Sequence, residues 1–392
     1  MLNLHRLLYK QTEHPCFHSE LLPTDGQRAT LAEAKRDIHE HLRVTLAAAS
    51  VTALGMSRRV EPRCRTQGSW SYNICVIPAH MPPQEMDWDL GVYLPAIVWQ
   101  GRHPAFAAKT YFTLVESSLQ VLCDRKRWRL VTGAAQKDNC IRVKISEYAH
   151  IDIPLYAAPE SEFLRITELA KSAAMSIRAT ADSVGLFAQD AETVDWPWEQ
   201  LKEIRLATRN GEWIVSDPFQ VTRWFLDCVE EHGEQLRRVC RYLKAWRDYH
   251  WPSGGGPSSV VLMICACESF ERQFHRDDVA LHLAAQRMST MLLEDIYVTA
   301  IDGNNQVNFN RLDAAEREEA ARRASDLRWA IELSRGYAGS MKLEAVRKLQ
   351  AVLGPRVPSD PGLVDDESPA DRVRATAASV VAAPIVRNTR SG

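Results

Sequence analysis

Residues 86–90, Met-Asp-Trp-Asp-Leu, set two carboxylates at i and i+2 between three apolar side chains. In a strand that spacing turns Met86, Trp88 and Leu90 into a core and sends Asp87 and Asp89 together out of the opposite face. Like charges so placed repel, and a proton or a cation has to compensate. Carboxylate oxygens with no nearby His or Cys favour magnesium or manganese over zinc, and such an ion keeps positions for water and substrate phosphate. The implied substrate is a nucleoside triphosphate. A third carboxylate is offered by the stretch HIDIPLYA, where Ile151, Ile153 and Leu155 share one face and Asp152 takes the other. Two ions bridged by three carboxylates activate an attacking hydroxyl and stabilise a leaving pyrophosphate. A D-x-D pair alone is also common on exposed strand faces; the later strand Asp and an upstream Gly-Ser turn favour the metal. Glu85 shares the face of Asp87 and Asp89, as a further ligand or as a solvated charge where the strand begins.

Several elements must position these groups. Gly68 and Ser69 form a turn, where a glycine lets the backbone approach a phosphate closely; an ordinary capped helix start explains the pair equally well. From about Thr24 to Ala49 the composition is helical, with Leu31, Ile38, Leu42 and Leu46 in one stripe. A second helical pattern runs from Ala107 to Cys123, followed by strand-like WRLV and CIRVKI. CIRVKI and HIDIPLYA flank a short turn at 146–149, a hairpin that sets Asp152 beside a neighbouring strand with Arg142 and Lys144 facing away from the apolar residues. Three prolines make 78–84 a loop, and Ser216-Asp217-Pro218 carries good helix caps.

Further on, a helix from about Gly233 to Trp251 presents Leu236, Val239, Leu243 and Trp246 on one side and Arg237, Arg241 and Lys244 on a second stripe. A basic stripe of this kind is usually a solvated face. It is followed by GGGPSS, a Gly-rich turn in which Ser258 and Ser259 open an apolar helix, a second place for phosphate oxygens to meet backbone amides. Helical patterns over 277–299 and 313–353 indicate a helical lobe, with Asp302 and Asn304 in the connection between them. From Pro355 onward there are five prolines and no aromatic residue, which predicts a disordered tail over 355–392.

The 392 residues allow two domains, and a net charge of −2 gives no global field for nucleic acid. Nine cysteines without a CxxC pair suit buried thiols in a reducing compartment. His14, Cys16 and His18 have no second ligand pair nearby, so a structural role is favoured over a metal clip. Neither a signal peptide nor an apolar run of about 18 residues is present, which predicts a soluble cytoplasmic chain without a membrane partner.

The order Gly-Ser, D-x-D, later strand Asp resembles the polymerase-β-like nucleotidyltransferases. The strings QGSWSYN, EMDWDLGVYLP, HIDIPLYA, SDP, VCRYLKAWRD and GGPSS resemble the bacterial cGAS/DncV-like nucleotidyltransferases, or CD-NTases, of the DncV branch, which make cyclic nucleotide messengers in CBASS anti-phage defence. The resemblance implies an α/β (α+β) palm over 1–215, a helical lobe over 216–354 and a cleft between them. It implies that Gln67, Gly68, Ser69 and Tyr72 touch the donor triphosphate, that Arg142 and Ser216 contact nucleotide, and that Lys244 and Ser259 grip the triphosphate from the lobe. Asp302 and Asn304 compete for a place that reads a base edge. Two Mg²⁺ ions, or Mn²⁺, would sit on Asp87, Asp89 and Asp152, with ATP and GTP as substrates, 3′,3′-cyclic GMP-AMP as product and a cyclic-nucleotide-gated effector downstream. A terminal Gly392 suits conjugation by a ubiquitin-activating-like partner, with a frayed terminus as the plain alternative. The rival functions are a linear nucleotidyltransferase acting on RNA or a small molecule, and an NTP-binding regulatory scaffold.

Overall fold

Strand β1 (Leu2–Asn3) and the short helices α1 (His5–Leu8) and α2 (Phe17–Leu21) lead into the long helix α3 (Asp25–Thr52). The computed structural model describes residues 1–11, 15–96, 103–161, 163–165, 167–168, 203–216, 218–268, 270–304 and 306–367. Thr24 begins α3 with a capping box: its hydroxyl accepts the Gln27 N–H at 3.2 Å, and the Gln27 side chain accepts the Thr24 N–H at 2.9 Å. Leu31, Ile38, Leu42 and Leu46 are all buried, as their spacing requires.

Next come β2 (Arg63–Gln67), α4 (Gly68–Ser71), β3 (Met86–Pro95), α5 (Pro104–Lys126), β4 (Arg129–Leu130), β5 (Ile141–Lys144), β6 (Ala149–Ile153), β7 (Leu155–Ala158), β8 (Arg205–Ala207) and β9 (Trp213–Val215). Strand β3 is the axis of the sheet. It pairs antiparallel with β2 on one edge and parallel with β6 and then β7 on the other, in one unbroken register. Pro154 separates β6 from β7 because it has no N–H to give, while its carbonyl still accepts the Val92 N–H at 3.0 Å. Strands β5 and β4 extend the sheet beyond β6, and β8 and β9 extend it beyond β7. Helices α3 and α5 share a core with the apolar face of the sheet, where Tyr111, Phe112, Val115 and Leu119 meet Trp88, Leu90 and Ile151.

The second layer holds α6 (Gln220–His232), α7 (Glu234–His250), α8 (Ser259–Cys267), α9 (Asp277–Met291), α10 (Ala314–Gly336), α11 (Lys342–Leu353) and β10 (Asp365–Asp366). Its core, around Tyr242 and Trp246, also takes in Leu2, Leu4, Leu7, Leu8, Phe17 and Leu21. The described part of the first 21 residues therefore packs with the helical lobe, not with the palm over 1–215 to which the sequence reading gave it. Their leucines have no sheet face to cover and find one on the helices.

The expected tail is likewise shorter at its start. Val357, Leu363 and Val364 are buried, β10 pairs antiparallel with β1, and Glu367 forms an ion pair with Arg276. These apolar side chains fill gaps one at a time, so no periodic pattern announces them. Residues 368–392, with Gly392, lie outside the described residues.

Asp277 anchors the N-terminal segment to the lobe. Fully buried, it accepts from Arg238 at 2.7 and 2.9 Å, from the Tyr242 hydroxyl at 2.9 Å and from Gln235 at 2.9 Å. Burial alone would raise its pKa; the bonds from Arg238 and His5 outweigh that and hold the carboxyl well below the usual range. Asp277→Ala leaves Arg238 uncompensated and is expected to cost about 3–5 kcal/mol, read from the denaturant midpoint at neutral pH.

Candidate active site

The parallel pairing of β3 with β6 sets Asp87 opposite His150 and Asp89 opposite Asp152. Met86, Trp88, Leu90, Ile151 and Ile153 are buried among apolar neighbours, and the pleat turns the three carboxylates and the imidazole to the other side. Ligand atoms of Asp87, His150 and Asp152 all lie within 4.8 Å of one another. Asp89 leans toward the turn: a Cβ built on Gly68 would stand 2.1 Å from Asp89 Oδ2. Burial first, then the charges of Asp87 and Asp152, push its carboxyl up to about 7.

Asp152 is held differently. Arg142 donates to its two oxygens at 2.7 and 2.8 Å, and Lys137 donates at 2.7 Å. Burial opposes ionisation here too, but these cations win and bring the carboxyl down to about 2.

His150 corrects the expectation of a carboxylate cluster without histidine. Its Nδ1 is 2.8 Å from Glu85 Oε2 and its Nε2 is 3.0 Å from Asp87 Oδ1. Burial alone would lower its pKa; the bond and charge of Asp87 outweigh that and raise it. With a carboxylate at each nitrogen, the imidazolium form is favoured. The signal was present in HID, since His150 and Asp152 obey the same i, i+2 rule as Asp87 and Asp89. Glu85 is neither solvated nor aimed at the cluster: Lys144 and His150 take its two oxygens.

The donor set suits a hard divalent cation. Asp87, His150 and Asp152 make a group that could hold a divalent cation, and positive charge there would offset the charges of Asp87 and Asp152 that, after burial, raise the Asp89 carboxyl. His150 is already engaged by Glu85 and Asp87.

Asp87, Asp89 and His150 form one wall of a cleft of about 770 Å³, with Asp152 buried behind them. Gly68, Ser69, Tyr72, Lys137 and Arg142 line the palm side, and Lys244, Arg247, Trp251, Gly254, Gly255 and Ser259 line the lobe side. Lys244 is buried and donates to the Ile74 carbonyl at 3.1 Å, while Arg247 donates to Ser259 Oγ at 3.0 Å. The glycine run is required locally. Gly256 has φ +69 and a Cβ there would meet the Trp251 ring at 2.6 Å, so the turn folds directly over an indole.

Other expected residues sit elsewhere. Ser258 caps α8, its hydroxyl accepting the Val261 N–H at 3.3 Å, and leaves the cleft to Ser259. The Gln67 side chain points into the palm core, bonded to the hydroxyls of Tyr93 and Tyr156. Ser216 is half-buried outside the cleft lining, its N–H donating to the Ile204 carbonyl; the residue before α6 is Phe219, so Ser216 does not cap that helix. Asp217 and His14 lie outside the described residues. Asp302 folds its own loop by accepting from the amides of Asn304, Gln306 and Val307, and neither it nor Asn304 lines the cleft. Cys16 is a buried free thiol, and His18 Nε2 accepts from Arg241 at 3.0 Å, which makes it structural. Lys137, Arg247 and Trp251 were not anticipated: Lys137 lies in a loop, Trp251 just past the end of α7, and Arg247 lies within VCRYLKAWRD but was given no role there.

Comparison with known proteins agrees with this geometry. Residues 62–156 match the family described as "Cyclic GMP-AMP synthase DncV-like, nucleotidyltransferase domain", and residues 233–365 match "Cyclic GMP-AMP synthase, C-terminal domain". A cyclic GMP-AMP synthase of Escherichia coli is 31% identical over 312 residues, covering 76% of this chain and 68% of its own length. Another, from strain TW11681, is 33% identical over 263 residues, 66% of this chain and 58% of that relative. The structure of the Vibrio cholerae di-nucleotide cyclase DncV in complex with GTP and 5MTHFGLU2 superposes with a TM-score of 0.71 at 24% identity, covering 94% of this chain and 100% of that one. Among the described residues no helix is long and apolar enough to cross a membrane.

Proposed function

The chain belongs to the DncV-like nucleotidyltransferase family, and from that premise we propose that it joins two nucleoside triphosphates into a cyclic dinucleotide, with ATP and GTP giving 3′,3′-cyclic GMP-AMP. The observation that carries this reading is the register of β3 and β6. It sets the buried Asp152 opposite Asp89 and close to Asp87, just beneath a cleft wall on which Asp87 and Asp89 stand together with Lys244 and Ser259 of the lobe. The names of the relatives and the GTP bound to a similar fold support the choice of product and substrate.

In the proposed reaction an acceptor hydroxyl releases its proton to solvent and its oxygen bonds to the α-phosphorus of the donor as the bond from that phosphorus to pyrophosphate breaks; a second transfer closes the ring. Asp87, Asp89 and Asp152 would hold Mg²⁺ or Mn²⁺, which when bound neutralises the hydroxylate and the leaving pyrophosphate. Lys244 brings a point charge and Ser259 a hydroxyl to the triphosphate end. Lys137 and Arg142 keep Asp152 ionised and aimed. No side-chain nucleophile is needed, and positioning supplies much of the rate. The product would act as a messenger in anti-phage defence, read by a cyclic-nucleotide-gated effector.

The test is to incubate the protein with α-³²P-labelled ATP, GTP and Mg²⁺ and then treat with phosphatase. A ring keeps its label and gives the mass of cyclic GMP-AMP. A phosphatase-resistant product with the mass of a linear dinucleotide or an extended acceptor would replace this reading with linear transfer, because one transfer already turns the labelled α-phosphate into a phosphodiester.

A further inference from the structure

The basic stripe of α7 is not a solvated face. Arg237 Nε donates to the Tyr72 carbonyl at 3.2 Å, Arg241 Nη2 to the Asn73 carbonyl at 2.5 Å and to Asn73 Oδ1 at 3.1 Å, and Lys244 Nζ to the Ile74 carbonyl at 3.1 Å. Cations at i, i+4 and i+7 of one helix thus meet the carbonyls of three consecutive residues. Those residues directly follow α4, which opens with the Gly68-Ser69 turn. The four residues of α4 are too few to hold a helix by themselves, so the turn takes its position from what grips it. On the palm side the grip is Trp70, whose Nε1 donates to the Asp87 carbonyl at 3.0 Å. On the lobe side it is the stripe, passed back to the turn by the Ile74 N–H, which donates to the Ser69 carbonyl at 2.9 Å.

Arg241 is the informative member. It is 6% exposed, and among the described residues no carboxylate pairs with it; its other partner is His18 Nε2 at 3.0 Å. A buried guanidinium without a counter-ion is costly, and an apolar side chain would pack the same space without that cost. The charge stands directly behind the cleft wall formed by Tyr72, Cys75 and Val76, where a polyanion would compensate it.

We propose that Arg237 and Arg241 are positioning residues for nucleoside triphosphate binding: through the carbonyls of residues 72 and 73 they fix the Gly68-Ser69 turn against the helical lobe, and Arg241 adds positive potential behind it. This deepens the proposed nucleotidyl transfer, on which it rests.

The experiment compares the parent with Arg241→Met, Arg241→Lys and Arg237→Gln. It measures melting temperature, the Kd of a non-hydrolysable GTP analogue with Mg²⁺, and the kcat and KM for both triphosphates. Arg241→Met is expected to raise the Kd and KM about tenfold while kcat stays within about threefold, with Arg241→Lys recovering most of the loss and Arg237→Gln raising Kd about threefold. A folded Arg241→Met that binds the analogue as the parent does would overturn the proposal. If Arg241→Met does not fold, Arg237→Gln decides, and an unchanged Kd in that variant overturns it as well. A parent that fails to bind the analogue at all would instead defeat the nucleotidyl-transfer reading itself.

Discussion

Asp89→Asn is expected to yield a protein that melts higher than the parent at pH 8 and makes no measurable product, a loss of at least about 10³-fold. The two effects have one cause. Burial and the neighbouring charges of Asp87 and Asp152 push the Asp89 carboxyl up to about 7, so the folded chain holds this proton where the unfolded chain has released it. Stability then falls as pH rises from the ordinary aspartate range to about 7, and the whole penalty is present above that. An asparagine of the same shape cannot ionise and removes the penalty, worth on the order of 1–3 kcal/mol after allowance for coupling among the three carboxylates. The gain should shrink as pH is lowered from 7 toward 4. Adding Mg²⁺ at pH 8 should raise the melting temperature of the parent and leave the variant little changed. Thermal melts in EDTA and in Mg²⁺ at the two pH values, with chromatography of product, check every part. A variant that melts below the parent at pH 8 would mean that Asp89 is held by attraction.

Period-two alternation explains why so much of the site was legible. Asp87 and Asp89 among Met86, Trp88 and Leu90, and Asp152 between Ile151 and Ile153, reveal both the buried face and the open one, and β3 and β6 pair accordingly. The leucine stripe of α3 was legible for the same reason, a local pattern with a local cause. What stayed hidden depends on partners far away in the chain. His150 needed Glu85 to show that its ring is an ion-pair member, and Lys137 becomes visible only once its loop reaches Asp152. The stripe Arg237, Arg241, Lys244 reads as solvated until three outward carbonyls at 72–74 dock on it. Gln67 and Asp302, placed on nucleotide by resemblance, instead satisfy buried hydroxyls and loop amides. Spacing tells which side chains share a face; it does not tell which polar groups another segment will already have claimed.

Gly68→Ala is expected to lower product formation about a hundredfold or more while costing only about 1–2 kcal/mol of stability. Gly68 has φ +60, so an alanine is strained there whatever the space. The larger consequence is chemical. The new Cβ would stand 2.1 Å from Asp89 Oδ2, and the backbone cannot give way, because the β2–β3 ladder pairs Gln67 with Asp89 and Thr66 with Leu90. The carboxylate must therefore rotate, leaving the position from which it would share a cation with Asp87 and Asp152. A double-mutant cycle separates strain from displacement. In an Asp89→Ala background the clash is gone, and Gly68→Ala should cost only the backbone strain, less than in the parent. Calorimetric Mn²⁺ titration adds a readout independent of turnover: binding should weaken in Gly68→Ala about as much as in Asp89→Ala. Equal stability costs in both backgrounds, with parent-like Mn²⁺ affinity, would show that the turn and the carboxylate are not mechanically linked.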